Sequence, residues 1–215
     1  MGLNISKGNM YEFVTHTWNV IKGKCFHDCD YCYMKRWGDL KPIRLDKKEL
    51  KTDLGKGNFI FVGSSNDMFA EKVHDAWIEI VIEHCKKFDN KYLLQTKNPK
   101  RFLDFDLPDN FILGTTIETN RVYPEMGNTP TPHERASALG DLFHEKFITI
   151  EPIMDFDVFE LFGLIEYAGV DWVNIGADSG KKGLTEPSER KIKALISLLQ
   201  KDSSVIIKKN LKRIN

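Results

Sequence analysis

The sequence contains no long apolar run and no excess of charge of either sign. Its hydrophobic runs, such as residues 59–63, are far shorter than the roughly 20 apolar residues that a membrane-spanning helix needs. The 31 Lys and Arg residues match the 31 Asp and Glu residues, so composition alone indicates neither a nucleic-acid partner nor an acidic one. The N-terminal residues also lack the basic and then apolar pattern of a secretory signal. We therefore expect a cytoplasmic protein with no membrane partner.

Cysteine is scarce, and its distribution is uneven. Three of the four cysteines, Cys25, Cys29 and Cys32, share the segment KGKCFHDCDYCYMKRWG, and no second cysteine pair follows. In a reducing compartment so few cysteines argue against disulfides. The spacing C-x3-C-x2-C instead lets the three thiols act together, as metal ligands or as a redox group.

Residue spacing leaves three interpretations of this segment open. A structural zinc ion takes four ligands, so it would need His27 or a distant residue in addition to the three thiolates. A redox C-x-x-C pair formed by Cys29 and Cys32 leaves Cys25 without a role. A [4Fe–4S] cluster held by three thiolates uses all three cysteines and leaves one iron open to a small molecule.

Short apolar segments alternate with amphipathic ones along the whole chain, which indicates an α/β fold. The predicted strands are residues 13–20, 59–63, 92–96, 111–117, 147–153, 172–176 and 205–209. The predicted helices are residues 72–88, 99–103, 132–142, 158–168 and 186–201. Strands that alternate with helices and are apolar on both faces predict a parallel sheet covered by helices, either open or closed into a barrel. With 215 residues and no linker, the chain is expected to be one domain over residues 1–215.

In such a sheet the chemistry collects at the carboxyl ends of the strands, where the loops gather. The residues that directly follow each predicted strand are therefore the candidate site residues.

Within the helix predicted over residues 72–88, the apolar period places Ile80 and Val81 on the buried side, with Cys85 as a small buried residue.

The cysteine segment resembles the signature of the radical S-adenosylmethionine superfamily. In that superfamily three cysteines at this spacing follow the first strand of a partial (β/α) barrel, and an aromatic residue, here Tyr31, precedes the third cysteine. Later strand ends resemble the motifs of a phage and bacterial group called Gp37/Gp68 or DUF5131, itself similar to spore photoproduct lyase. The matching segments are HTWNVIKGKC, FVGSSNDMF, LLQTKNP, GTTIETNR, ITIEPIM, WVNIGADSG and IIKKNL. The resemblance spans nearly the whole chain and implies a partial barrel with six to seven parallel strands.

This resemblance implies a radical S-adenosylmethionine enzyme. Cys25, Cys29 and Cys32 would ligate a [4Fe–4S] cluster, and the amine and carboxylate of S-adenosylmethionine would chelate its fourth iron. An electron from an external reductant, such as a flavodoxin or a ferredoxin, would cleave S-adenosylmethionine to a 5′-deoxyadenosyl radical that abstracts hydrogen from the substrate. A nucleotide or a nucleic acid is the expected substrate, because the relatives include a DNA-lesion enzyme and phage proteins. Two alternatives are a non-catalytic zinc-binding scaffold and a cluster-bound enzyme that transfers a group from S-adenosylmethionine without a free radical.

The resemblance also assigns residues in the cysteine segment and at the next two strand ends to S-adenosylmethionine. Tyr31 would lie near the adenine, although an aromatic residue packed on the barrel fits the same position. Ser64, Ser65 and Asn66 follow the second strand, where relatives bind the amino group of the cofactor; an N-cap before the next helix is the competing interpretation. Lys97 ends the third strand and would neutralise the methionyl carboxylate, with a solvent-exposed lysine as the alternative.

Acidic residues end the later strands. Thr116 and Glu118 end the fourth strand and are expected to bind the ribose hydroxyls. Glu151 and Asp178 end the fifth and sixth strands. Burying an acid at a barrel mouth is costly unless it binds something, so both are expected to contact cofactor or substrate. Lys208 closes the seventh strand and is expected to meet an anionic substrate, unless the strand emerges into solvent.

Overall fold

An eight-stranded, mostly parallel sheet forms the centre of the computed structural model, which describes residues 2–8 and 10–214. Within these residues the strands are β1 (Asn4–Ile5), β2 (His16–Trp18), β3 (Ile21–Lys22), β4 (Arg44–Leu45), β5 (Phe59–Val62), β6 (Lys91–Thr96), β7 (Phe111–Thr116), β8 (Lys146–Ile150), β9 (Trp172–Ile175) and β10 (Ser204–Ile207). Strands β3 and β4 pair with each other in a separate antiparallel ribbon, and the remaining strands form the central sheet.

Seven strands of the central sheet run parallel within the described part of the chain. The order is β1-β2-β5-β6-β7-β8-β9-β10, and each neighbouring pair from β2 onward is parallel. Strand β1 lies at one edge and is antiparallel to β2. Because β1 and β10 lie at opposite edges of this order, the sheet is open and does not close into a complete barrel. The prediction of a partial barrel with six to seven parallel strands is confirmed.

Helices follow the strands in the order expected of βα units. They are α1 (Asp75–Cys85), α2 (Pro132–Gly140), α3 (Val158–Ala168) and α4 (Glu189–Leu199), with shorter 3-10 helices at Tyr33–Trp37, Glu49–Lys51, Pro99–Asp104, Pro124–Met126 and Lys209–Arg213. Thr131 caps α2 by accepting a hydrogen bond from the backbone N–H of Glu134, whose carboxylate accepts one from the backbone of Thr131. The helix predicted over residues 99–103 is a 3-10 helix, Pro99–Asp104.

The helices bury their apolar faces in the main core of the fold. In α1 the buried apolar side is formed by Ile78, Val81, Ile82 and Cys85, whereas Ile80 is 43% exposed. The expected burial of Ile80 is therefore wrong. Two residues along a helix turn through about 200°, which carries Ile80 away from its buried neighbours to the solvent side. No helix among residues 2–8 and 10–214 is long and apolar enough to cross a membrane.

The segment before β2 enters the hollow of the sheet and closes it toward the amino ends of the strands. Tyr11 and Val14 form an apolar cluster with strand residues that include Leu93 and Phe147. Gly114 makes room for this packing, since a Cβ there would lie 2.1 Å from the ring of Phe147. Strand β2 is shorter than predicted, because residues 11–14 turn inward, with the Val14 N–H donating to the Tyr11 carbonyl. The carboxyl ends of the strands are left as the open side.

Candidate functional site

A cavity of about 1110 Å³ opens at the carboxyl ends of the parallel strands. Its wall is formed by the cysteine segment after β3 and by residues that follow β5, β6, β8 and β10 or end β7. Of the residues predicted for the site, the cavity is lined by Cys25, Cys29, Tyr31, Cys32, Ser64, Ser65, Asn66, Lys97, Thr116 and Glu151. Lys208 lines it as well, whereas Glu118 and Asp178 do not. The fold therefore brings together side chains that lie almost 200 residues apart in the sequence.

The cysteine segment is anchored by a buried histidine. His27 is 2% exposed, and its Nε2 lies 2.9 Å from Oδ2 of Asp67, while its Nδ1 lies 3.1 Å from the carbonyl oxygen of Asn128. The Asp67 carboxylate also accepts hydrogen bonds from the Thr96 hydroxyl at 2.9 Å and from the Lys97 backbone N–H at 2.8 Å. One carboxylate thus connects the cysteine segment to the end of β6.

The three thiols of this segment are free; Cys29 is buried, and Cys25 and Cys32 are half-buried. Burial raises the pKa of Cys25 to about 12, and the negative charge of Asp67 acts in the same direction. Burial also raises the pKa of Cys29, although the nearby Lys97 favours its thiolate. The Cys25 and Cys29 thiols are therefore protonated near neutral pH, and cysteine thiols lose their protons when they ligate a metal.

The geometry weakens the zinc alternative. Both ring nitrogens of His27 have hydrogen-bond partners, so His27 is not available as a fourth ligand without breaking its anchor. Within residues 2–8 and 10–214, no three His, Cys, Asp or Glu side chains converge closely enough to hold one metal ion. The ligands of a [4Fe–4S] cluster bind separate irons and need not converge on one point. Three free thiols on one cavity wall therefore fit a cluster with an open iron better than a single zinc ion.

The turn that follows β5 presents an unused hydrogen-bond acceptor to the cavity wall. Asn19 holds this turn, because its Oδ1 accepts from the Ser65 N–H at 2.8 Å and its Nδ2 donates to the Ser64 hydroxyl at 3.1 Å. The Nδ2 of Asn66 donates to the Gly23 carbonyl oxygen at 2.7 Å, whereas its buried Oδ1 has no partner among the described residues. Helix α1 begins well after this turn, so the competing interpretation as an N-cap is wrong.

Glu118 lies behind the cavity wall in a buried charge network. Its Oε1 accepts from the Tyr31 hydroxyl at 2.5 Å and from Lys97 Nζ, and its Oε2 accepts from Arg135 Nη1 at 2.8 Å. Burial alone raises the pKa of Glu118, but Arg135 and Lys97 outweigh it and hold the pKa at about 2. This placement differs from the expected contact with ribose, because the Glu118 side chain is fully buried and does not line the cavity. Glu118 instead positions Tyr31 and Lys97, which do line the cavity.

Asp178 is likewise used within the protein. Its side chain is buried and accepts hydrogen bonds from the backbone N–H groups of Gly180, at 2.9 Å, and of Lys182. The carboxylate therefore shapes the loop after β9, and the neighbouring Ser179 reaches the cavity in its place. This arrangement therefore differs from the expected contact of Asp178 with cofactor or substrate.

Glu151 and Lys208 line the cavity as an ion pair. The Oε2 of Glu151 lies 2.6 Å from Lys208 Nζ, and its Oε1 accepts from Asn210 Nδ2 at 2.7 Å. Gly176 permits this arrangement, because a Cβ at that position would lie 2.7 Å from the Glu151 carboxyl carbon. The pair presents both a donor and an acceptor to anything bound beside the cysteine segment.

Three residues that support the site have no role in the sequence-based prediction. Asn19 and Asp67 lie inside the strand-end segments HTWNVIKGKC and FVGSSNDMF, so their position after a strand was an available signal. Arg135 lies on α2, and its side chain is fully buried with Nη1 on Glu118 and on the Thr116 carbonyl oxygen. Nothing in the local sequence distinguishes Arg135 from a solvent-exposed helical arginine.

Gly127 should be essential for the cysteine segment. Its φ is +64°, and a Cβ there would lie 2.1 Å from the His27 carbonyl oxygen. We expect Gly127→Ala to lower the free energy of unfolding by more than the roughly 1–2 kcal/mol that left-handed backbone strain alone costs. Gly57→Ala is the matched control, because Gly57 has a φ of +71° and open space around its Cβ. Equal free energies of unfolding for the two variants, measured by urea denaturation, would contradict the prediction.

The fold is similar to that of spore photoproduct lyase, a partial (β/α) barrel. A cysteine-to-serine variant of that lyase matches with a TM-score of 0.67 at 14% identity, over 96% of this chain and 78% of the lyase chain. A variant solved with bound AdoMet and dinucleoside spore photoproduct matches with a TM-score of 0.60 at 14% identity, over 93% of this chain and 64% of that one. A complex of the lyase with dinucleoside spore photoproduct matches with a TM-score of 0.61 at 15% identity, again over 93% of this chain and 64% of the lyase chain.

The chain belongs to the family described as "Protein of unknown function (DUF5131)", whose family model matches residues 9–193. None of the curated proteins compared with the chain matches it significantly. Membership in this family confirms the resemblance of the strand-end segments to DUF5131, and the structural matches confirm the similarity of fold to spore photoproduct lyase.

Proposed function

We propose that this protein is a radical S-adenosylmethionine enzyme that acts on a nucleotide or nucleic acid. The observation that carries the proposal is the placement of Cys25, Cys29 and Cys32, which are free thiols on one wall of a large cavity in a lyase-like fold. These residues would hold a [4Fe–4S] cluster with one iron open to S-adenosylmethionine. When bound, the two groups supply reductive cleavage of S-adenosylmethionine and hydrogen-atom abstraction from a substrate.

The residues around the cavity suit the polar parts of S-adenosylmethionine. The partnerless Oδ1 of Asn66 is an acceptor for the methionyl ammonium group, and burial favours its pairing with a donor. Lys97 and Arg135 carry two positive charges against the single negative charge of Glu118, so this network attracts the methionyl carboxylate. These residues bind and orient the cofactor.

Tyr31 and Thr116 face the cavity with constrained geometry. The Tyr31 hydroxyl is held by Glu118 and Lys97, and Lys97 Nζ lies over one face of the ring, 4.5 Å from its centroid. The opposite face is the surface that we assign to the adenine. Thr116 Oγ1 accepts from Gln95 Nε2 at 3.0 Å, so its own O–H is free to donate to a ribose hydroxyl. In this proposal the ribose contact assigned to the end of β7 falls to Thr116.

A nucleotide substrate is favoured by two observations. The solved relatives with this fold include complexes with dinucleoside spore photoproduct. The cavity, at about 1110 Å³, exceeds the roughly 300–1,000 Å³ of an ordinary small-molecule pocket, which leaves room for a second molecule beside the cofactor. Glu151 and Lys208 lie on the wall where that molecule would bind and can donate to and accept from a base or a sugar.

Purification without oxygen tests this function directly. The protein should be brown and contain about four iron ions per chain, and dithionite reduction in the presence of S-adenosylmethionine should yield 5′-deoxyadenosine. A colourless protein with bound zinc would support the scaffold alternative. An iron-containing protein that converts S-adenosylmethionine to other products without 5′-deoxyadenosine would support group transfer.

A further inference from the structure

An aromatic and basic surface flanks the mouth of the cavity. This rim surface consists of Tyr33, Arg36, Trp37, Lys41 and Arg44. The 3-10 helix that contains its first three residues has no buried side chain, and Trp37 is 65% exposed, the most exposed of the chain's tryptophans. The guanidinium carbon of Arg36 lies 5.0 Å from the ring centroid of Trp37 and 5.6 Å from that of Tyr33. Exposed aromatic area concentrated beside a cavity indicates a binding surface.

A second hollow of about 550 Å³ adjoins the cavity beneath the rim surface. The residues common to both walls are Gly23, Tyr33, Met34, Asp39, Leu40 and Ser65. Trp37, Lys41 and Arg44 line the second hollow but not the first. The Tyr33 hydroxyl donates to the Ser64 carbonyl oxygen, which fixes the rim surface to the cavity wall. A chain-like ligand with one unit in the cavity can therefore place its next unit against Trp37.

The rim surface carries positive charge that the protein does not neutralise. Within residues 2–8 and 10–214, Arg36, Lys41 and Arg44 form no ion pair with a carboxylate. The acidic side chains on the second hollow are Asp39, on the same loop, and Glu49, which pairs with Lys22. Lys35, in contrast, pairs with Asp28 and with Asp30. Cationic side chains of this kind bind phosphates, and arginine does so in a planar, bidentate manner.

Aromatic rings and unpaired cations together favour one class of ligand. An acidic peptide would satisfy the charges but would offer no series of flat rings to stack on Trp37. Duplex DNA hides its base faces, and its binders show a broad basic surface, whereas this chain has no net charge. Single-stranded nucleic acid exposes both its bases and its phosphates, and it binds through stacking together with a local cationic groove.

We propose that the rim surface binds a single-stranded stretch of nucleic acid next to the nucleotide in the cavity. A neighbouring base stacks on Trp37, and its phosphates lie against Arg44, Lys41 and Arg36. This inference builds on the proposed function, because it assumes that a nucleotide enters the cavity. It extends that function by defining the substrate as part of a strand and not as a free nucleotide.

Fluorescence anisotropy of a labelled single strand of about eight nucleotides, as DNA and as RNA, tests the proposal on the full chain. Trp37→Ala should weaken binding roughly 5- to 150-fold, as expected for the loss of one stacked base, and Trp37→Phe should retain most of the affinity. Arg44→Ala should lower the slope of log affinity against log salt by about 0.7. Phe143→Ala and Lys87→Ala are matched controls, because both side chains are exposed and lie outside both cavity walls. Neither should change the affinity.

Several results would overturn the proposal. The proposal is wrong if Trp37→Ala binds the strand as tightly as wild type does. It is also wrong if polyglutamate competes as strongly as the unlabelled strand, or if wild type binds neither strand at low salt. The test also separates this inference from the proposed function. Wild-type protein that forms 5′-deoxyadenosine but binds no strand refutes only the rim surface, whereas protein that binds the strand through Trp37 but takes up no iron refutes only the enzyme.

Discussion

Replacement of Cys29 by alanine is expected to yield a folded chain that holds no [4Fe–4S] cluster and forms no 5′-deoxyadenosine. Cys29 is buried and lines the cavity together with the other two cysteines of the segment. Loss of a residue that only supports a metal ligand costs about 10- to 100-fold in metal affinity or activity, so loss of the ligand itself should exceed roughly 100-fold. Iron content and chromatographic measurement of 5′-deoxyadenosine after dithionite reduction check this expectation.

The fourth cysteine provides the matched control. Cys85 is fully buried in the core on α1 and does not line the cavity. Cys85→Ala removes one sulfur atom from the packing, so we expect somewhat lower stability with unchanged iron content and unchanged 5′-deoxyadenosine formation. If Cys29→Ala binds as much iron as Cys85→Ala, the assignment of the cysteine segment as the cluster site is wrong.

Glu118→Ala is expected to destabilise the fold by about 3–5 kcal/mol. The substitution removes the carboxylate between Arg135 and Lys97, and Arg135 is left as a fully buried charge without its counter-ion. The cost comes mainly from that uncompensated charge. Urea unfolding of the wild type and the variant measures it, and a change below about 1 kcal/mol would contradict the prediction.

The pH dependence of stability provides a second measurement of the same network. Arg135 and Lys97 outweigh burial and hold the pKa of Glu118 at about 2 in the folded state, below the ordinary value of 4.5. The stabilisation is therefore fully present above about pH 4.5 and is lost as the pH falls toward 2. Glu118→Gln should remove this component of the acid sensitivity. Glu189→Gln, which breaks the exposed pair with Lys193, should change stability by less than about 1 kcal/mol at any pH.

The alternation of apolar and amphipathic segments was sufficient to predict the sheet, because each βα unit carries its own local pattern. All of the later parallel strands lie within or close to their predicted ranges. The errors fall where distant parts of the chain decide the local structure. The first strand is short because Tyr11 and Val14 pack into the hollow of the barrel, and no pattern within residues 13–20 shows that they do so.

In the candidate site too, some features follow from the local sequence and others from contacts between distant parts of the chain. Cys25, Cys29 and Cys32 were identifiable because their spacing is local and their position after a strand is a rule of parallel sheets. The placement of Glu118 and Asp178 could not be predicted, because it depends on which cation or backbone N–H group the fold brings within hydrogen-bond distance of each carboxylate. For Glu118 that group is Arg135, which lies on α2, the helix that follows β7.

The sequence by itself determined the parallel α/β class, the cysteine segment and the strand ends that surround the cavity, since each of these depends on short-range periodicity or spacing. Tertiary structure alone decided which of the strand-end side chains face the cavity and which support it from behind. Buried polar groups must find partners wherever the fold provides them, so the partner of a carboxylate is a property of the assembled core and not of its neighbours in the chain.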